Sequence, residues 1–228
     1  MERHIVRLLN RVSIISLIMG TIALFFVLKT PETCVPPNIP KSHLRFPKST
    51  CDISSRQHVP LAKKNARLWS SKSWINRVSS FTQFFTQIRD MGHLKTHSKV
   101  LCVSAGAGHE VMALSKMGID DVTGVELVES SPLVSRADPH NLPFFGGAFD
   151  LVFSGHFAEA LYPARYVEEM ERTVRKGGVS VVVVEECASE EVDEIVGLFR
   201  SSRLVNAANV TLYGRKVTRI IMRRSRSA

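Results

Sequence analysis

Cysteine is scarce in this chain and never paired in pattern. Cys34, Cys51, Cys102 and Cys187 are the four present, and no two form a C-x-x-C pair. A metal site therefore has no support, zinc included. Cys102 and Cys187 stand in apolar, strand-like runs and read as buried core thiols. Cys34 and Cys51 lie in an arm where an oxidising lumen would let them pair, but spacing alone does not show it. Acidic residues are scarce in the first 97 positions, which hold 4 Asp and Glu against 15 Lys and Arg. Residues 98–190 reverse the balance with 14 against 7, and residues 191–228 carry 3 against 8. The net charge of +9 thus sits at the two ends of the chain. An acidic body argues against a nucleic-acid groove, so no nucleic-acid partner is expected. A basic arm beside an apolar run suits lipid headgroups or plain solvation.

Charge is missing altogether from Val12 to Leu28, VSIISLIMGTIALFFVL. As a helix this run spans about 25 Å at 1.5 Å per residue, near the short limit for a bilayer crossing. A cleaved signal peptide is the rival reading, but the following KTPETC offers no small-residue cleavage site. A core helix would need a polar face, which is absent. The expectation is an uncleaved transmembrane anchor over 12–28 with a membrane as partner. Arg3, Arg7 and Arg11 precede the run and only Lys29 follows closely. The positive-inside rule then leaves residues 1–11 in the cytosol and sends the rest across. That describes a single-pass protein of the ER or Golgi with a lumenal domain; a domain facing the cytosol stays open. Residues 29–65 include Pro31, Pro36, Pro37, Pro40, Pro47 and Pro60 and read as a basic stem without a packed core.

A domain is expected over 66–228. From Ala66 to Leu94, Trp74, Val78, Phe81, Phe85 and Ile88 recur at helical spacing and mark an amphipathic packing face. Beyond it, strands are expected at Lys99–Ser104, Asp121–Glu126, Leu133–Asp138, Phe149–Ser154 and Val179–Glu185. Helices are expected at Gly108–Met117, Ala164–Arg175 and Glu190–Arg200. Two closing strands, about Asn206–Tyr213 and Lys216–Met222, flank a tight Gly214-Arg215 turn. Valine-rich runs alternating with helices predict an α/β fold: a Rossmann-like, doubly wound, mostly parallel sheet covered on both faces. The closing hairpin predicts an antiparallel strand at the sheet edge.

In such sheets ligands sit beyond the carboxyl ends of the strands. The first strand ends at Ser104, and Ala105-Gly106-Ala107-Gly108 makes the turn. Gly106 and Gly108 permit close backbone approach, and the next helix aims N–H groups into the turn. Alone, these glycines would make only a tight connection. Glu126, however, ends the second strand, 18 residues after Gly108, where a carboxylate can take both hydroxyls of a ribose. A nicotinamide dinucleotide loop would want a third glycine, and Val111 stands there.

The order VLCVSAGAGHE, Glu126, ADPHNLPF, FDLVFSGH and RKGG resembles the class I S-adenosylmethionine-dependent methyltransferases, within them the broad type 11 group. The resemblance covers about 98–185 well and the flanks loosely. It implies S-adenosylmethionine as cofactor, with Ser104, Ala105, Gly106 and Gly108 facing the methionine part and Glu126 on the ribose. Asp138 would accept from the adenine amino group, with Pro139, His140 and Asn141 around the ring, and Ser154, Gly155 and His156 would end the fourth strand beside the reacting methyl. Three departures from the family's pattern matter, and the first two make the first motif a degenerate one. Cys102 stands where the family has an acid, Ser104 replaces a glycine, and the segment between Glu126 and Asp138 is too short for the usual helix.

Methyl transfer needs an aligned acceptor and, for a hydroxyl or amine, a base. His156 is the best-placed candidate, ahead of His140 and Glu159; capping the following helix or binding backbone is its duller role. Two functions follow. One is methyl transfer to a small-molecule, lipid or glycan acceptor; the other is a catalytically inactive methyltransferase-like binding or scaffold protein at a membrane.

Overall fold

The computed structural model describes residues 2–28 and 60–226, with side chains over 10–25 and 60–226. Most of the expected stem, with Cys34 and Cys51, lies outside the described residues. The chain divides into two units, Met1–Lys64 and Asn65–Ala228. In the first, α1 (Glu2–Leu28) is helical, and Leu17, Ile18 and Met19 are exposed. Among the described residues no helix is long and apolar enough to cross a membrane, so the expected anchor is not found.

The second unit is built on a seven-stranded sheet. Its strands are β1 (Lys99–Val103), β2 (Asp121–Glu126), β3 (Val134–Arg136), β4 (Phe149–Ser154), β5 (Val174–Glu185), β6 (Ser202–Leu212) and β7 (Arg215–Arg224). They lie in the order β3-β2-β1-β4-β5-β7-β6. The first five are parallel, and β7 runs antiparallel to both β5 and β6. The antiparallel strand is therefore one in from the edge, because the hairpin folds back between β5 and β6. The helices are α2 (Leu61–Trp69), α3 (Lys72–Asp90), α4 (His109–Lys116), α5 (Pro163–Thr173) and α6 (Ser189–Gly197).

Alternation along the strands divides the core in two. Cys102, Leu151, Phe153, Val181, Val183 and Ile221 face α3 and α4, while Leu101, Val103, Val152, Val182, Val184 and Ile220 face α5 and α6. The valine run is buried on both faces, as an internal strand requires. Phe153 meets the rings of Phe81, Phe84 and Phe85 edge-on, at centroid distances of 5.9, 5.6 and 4.9 Å.

Several boundaries differ from the sequence reading for local reasons. The helix expected over 66–94 is two, because Ser71 stops α2 and caps α3, its hydroxyl accepting from the Trp74 amide at 3.3 Å. The Lys176-Gly177-Gly178 turn lies inside β5, where the pairing with β4 skips from Phe149–Val174 to Leu151–Val179. The closing turn is Tyr213-Gly214, with φ of 53° and 73°. Two left-handed residues match the strand twist of a two-residue hairpin, here with a tyrosine where Asn or Gly is usual.

Candidate functional site

Strand order reverses between β1 and β4, and the loops after their carboxyl ends splay apart there. A cleft of about 300 Å³ opens at this point, lined by Ser104, Gly106, Glu126, Leu127, Pro139, His140, His156, Glu159, Ala160, Leu161 and Tyr166. Of the residues expected there, Ser104, Gly106, Glu126, Pro139, His140 and His156 form its walls. Leu127, Leu161 and Tyr166 were missed by sequence reasoning. The two leucines are loop residues without periodicity, and Tyr166 belongs to a helix face that reads as core.

Six expected residues do not line the cleft; Asn141 is one, and Gly155 lines the neighbouring chamber instead. Ala105 is buried, its amide donating to Val125 O. Gly108 has φ of 93°, and a Cβ there would stand 2.7 Å from that of Leu133, so this glycine serves close packing. The Ser154 hydroxyl is buried against Tyr166 Oη at 2.7 Å. Asp138 turns its carboxylate onto His140, accepting from the backbone amide at 2.8 Å and standing 3.2 Å from Nδ1. These bonds hold the Asp138 carboxyl below the usual carboxylate range, the backbone bond contributing most. The two acids thus have different surroundings: Glu126 faces the cleft, and Asp138 shapes the loop beside it.

The glycine loop is held from several sides. Glu126 accepts from the Gly106 amide at 3.1 Å and from the Leu127 amide at 2.8 Å. A carboxylate has about four acceptor sites, so roughly two stay available. Ser104 sits at φ of 55°, a left-handed conformation costly for a serine. Its hydroxyl accepts from Tyr166 Oη at 3.1 Å, and its carbonyl accepts from His156 Nδ1 at 2.9 Å. Because a carbonyl can only accept, Nδ1 carries the proton, and the neutral ring keeps its lone pair on Nε2. The His156 side chain makes no cap bond to the short helix that follows, but its bond to the Ser104 carbonyl is the backbone-binding role, the other of its duller readings.

The loop after β3 is clamped from α5. Glu169 accepts from the Leu142 amide at 2.7 Å, and Arg172 donates to the carbonyls of Leu142 and Phe144 at 2.9 and 2.7 Å. The two side chains also pair with each other, Arg172 Nε donating to Glu169 at 2.7 Å. This pair holds the Glu169 carboxyl below its ordinary range.

A larger, open chamber of about 1220 Å³ adjoins the cleft and shares His156 and Glu159 with it. Its walls include Ser73, Asn76, Arg77 and Gln83 of α3, Glu185 of β5 and Lys216 of β7. The Arg77 guanidinium lies over the Tyr213 ring at 5.7 Å, and the Tyr213 amide donates to Ser80 Oγ at 2.9 Å. The hairpin tip is thereby tied to α3 across the chamber.

Residues 101–182 match the family model described as "Methyltransferase domain". The fold is that of a class I methyltransferase. Solved structures sharing it include an S-adenosylmethionine-dependent methyltransferase of Aquifex aeolicus, 16% identical with a TM-score of 0.53, covering 73% of this chain and 99% of that one. Another is the 1,6-didemethyltoxoflavin-N1-methyltransferase of Burkholderia thailandensis, solved with 1,6-didemethyltoxoflavin and S-adenosylhomocysteine. It is 15% identical with a TM-score of 0.53, and the match covers 75% of this chain and 92% of that one. The [4+2]-cyclase SpnF aligns with a TM-score of 0.53 at 14% identity, over 64% of this chain and 82% of its own. One fold hosts both kinds of protein, so the reaction has to be argued from the site. No curated protein matches the chain.

Proposed function

We propose that this chain is an S-adenosylmethionine-dependent methyltransferase acting on a small-molecule, lipid or glycan acceptor. The observation that carries the proposal is the pair of joined spaces at the β1–β4 switch point, with His156 on their common wall. The methyltransferase-domain match over residues 101–182 supports the same cofactor.

The residues present fit this cofactor. Gly106, at φ of 52°, lets the backbone turn under a ligand, and the nearest atom to an added Cβ is His156 Cε1 at 3.8 Å, so space remains above it. The unused sites on the Glu126 carboxylate suit ribose hydroxyls. Leu127, Pro139 and Leu161 give apolar faces for a planar base, with Leu127 and Leu161 exposed at 55% and 82%. When bound, the cofactor supplies an electrophilic methyl on a positive sulfonium.

The chain's own residues position the acceptor and take its proton. The serines, amides and charged groups of the chamber offer hydrogen bonds to an acceptor, and Val184, Leu212, Tyr213 and Val217 give it apolar wall as well. Ser104 fixes the His156 ring, whose Nε2 is the base for a hydroxyl or amine. His156→Gln should lower turnover by about 10²- to 10⁴-fold and leave cofactor affinity unchanged.

Calorimetry with S-adenosylmethionine on the full chain tests the reading. Micromolar to submillimolar binding is expected, weakened roughly tenfold to a hundredfold by Glu126→Ala. No heat at millimolar cofactor would sink the proposal and leave the scaffold function.

A further inference from the structure

The chamber beside the cleft has one wall of distinct chemistry. Ser73, Asn76, Arg77, Ser80 and Gln83 share one face of α3, and that face lines the chamber. No acidic residue stands between Asp52 and Asp90, so this wall offers hydroxyls, amides and a guanidinium with no carboxylate among them. Arg77 is exposed and makes no ion pair among the described residues. The Tyr213 ring, 5.7 Å from it, fixes its position. Tyr213 is itself held by α3 at a left-handed φ of 53°: its ring meets Phe81 edge-on at 5.0 Å, and its amide donates to Ser80 Oγ. Ser80 thereby keeps its own hydroxyl proton to give. The base is near this wall. His109 is pushed down to about 4 by burial and then by Arg77 and His156, so the guanidinium and the base lie around one residue. Arg215 and Lys216 add positive charge at the start of β7. The acids of the chamber come from other elements: Glu159 from the short helix after β4, and Glu185 and Glu186 from the end of β5 and just beyond it. Glu186 already accepts from Asn209 at 3.3 Å.

A wall free of acids with an unpaired guanidinium is built to recognise an anion, and the planar fork of arginine matches a carboxylate through two parallel bonds. We propose that the methyl acceptor carries a carboxylate, which seats on Arg77 and Ser80 while its hydroxyl or amine faces His156. The inference rests on the methyltransferase reading and names the substrate class within it. Leu212, Tyr213 and Val217 meet the carbon frame between the two polar ends. Glu159 and Glu185 repel the carboxylate, so the acceptor enters with its acid toward α3.

The test is calorimetry on the full chain, first with S-adenosylhomocysteine alone and then, with that site saturated, with two acids and their neutral amides. The acids are 4-hydroxybenzoate and the longer 4-hydroxycinnamate, each with a hydroxyl for His156 and a carboxylate for Arg77. At least one acid should bind about tenfold or more tightly than its amide. Arg77→Gln should abolish that advantage and leave S-adenosylhomocysteine affinity unchanged. Lys72→Gln, exposed on the same helix but outside the chamber, should keep it. Equal affinity of acid and amide in both pairs overturns the inference, as does failure of both acids to bind at millimolar concentration. An advantage that survives in Arg77→Gln overturns it too, because the anion then sits elsewhere. Tighter binding of 4-hydroxyphenyl phosphate than of either acid overturns the carboxylate. A chain that does not bind S-adenosylhomocysteine in the first titration refutes the methyltransferase reading itself, and the inference with it.

Discussion

Glu110 opens α4 directly after the glycine turn, is buried, and makes a prediction about the protein alone. Its carboxyl moves from 4.5 when solvated to about 8 in the fold, chiefly through burial. Between those values the folded chain holds a proton that the unfolded chain has lost. Stability from this group is full below about 4.5, falls as pH rises, and is exhausted above about 8. At about 1.4 kcal/mol per unit, the loss across the window is on the order of 5 kcal/mol. His109 works in the opposite sense. Held at about 4 instead of 6.5 by burial, it leaves the unfolded chain with the extra proton between those values, so stability rises with pH there. The two slopes oppose each other from about 4.5 to 6.5, and above 6.5 the Glu110 slope stands alone. Urea unfolding followed by circular dichroism at pH 6.5, 7.25 and 8, at fixed ionic strength, should show the wild type losing stability across the series. Glu110→Gln, neutral in both states, should stay level and be the more stable protein at pH 8. Parallel curves for the two would refute the burial argument.

Other predictions concern the loop and its supports. Ser104→Ala keeps the left-handed strain and loses the Tyr166 bond, so it should cost about 1 kcal/mol. Ser104→Gly relieves about as much strain as it loses in bonding and should unfold within about 1 kcal/mol of wild type in the same urea assay. Arg172→Ala removes two carbonyl contacts and the Glu169 pair, and should cost about 2–3 kcal/mol while raising amide exchange over residues 142–144. Gly124→Ala places a Cβ 2.6 Å from Val111 Cγ2 and should destabilise by about 1–3 kcal/mol, read as a lower thermal midpoint.

How far the sequence could be read follows from what each signal measures. Periodicity reports burial, so the parallel strands, α3 and the α4 register were legible: Trp74, Val78, Phe81, Phe85 and Ile88 are all buried. Glu126 was legible because its place at a strand end fixes its surroundings. Asp138 was placed correctly along the chain, but its side-chain direction is set by a bond to an amide two residues on, which spacing does not encode. Glu110 was passed over because a glutamate in a first helical turn ordinarily answers the helix dipole in solvent. Its burial comes from α4 packing down on β2, where Gly124 gives Val111 room. Tyr213 escaped notice because the turn sits one residue earlier than the glycine suggests.

Ser104 looks like a loss when the loop is read as a string of glycines, since serine enters the left-handed region only at a cost. In the fold it joins both halves of the site. Its hydroxyl meets Tyr166, which also bonds Ser154 at the buried end of β4, and its carbonyl fixes His156 on the wall shared with the chamber. A glycine would leave the carbonyl bond possible but remove the hydroxyl that pins the loop to Tyr166. Ser104→Gly is therefore expected to separate stability from function, leaving the urea midpoint near wild type while loosening the register between the cofactor cleft and the base. Once an acceptor is in hand, a turnover that falls at least fivefold with unchanged cofactor affinity would show that coupling. Turnover equal to wild type would reduce Ser104 to a strained but idle turn residue.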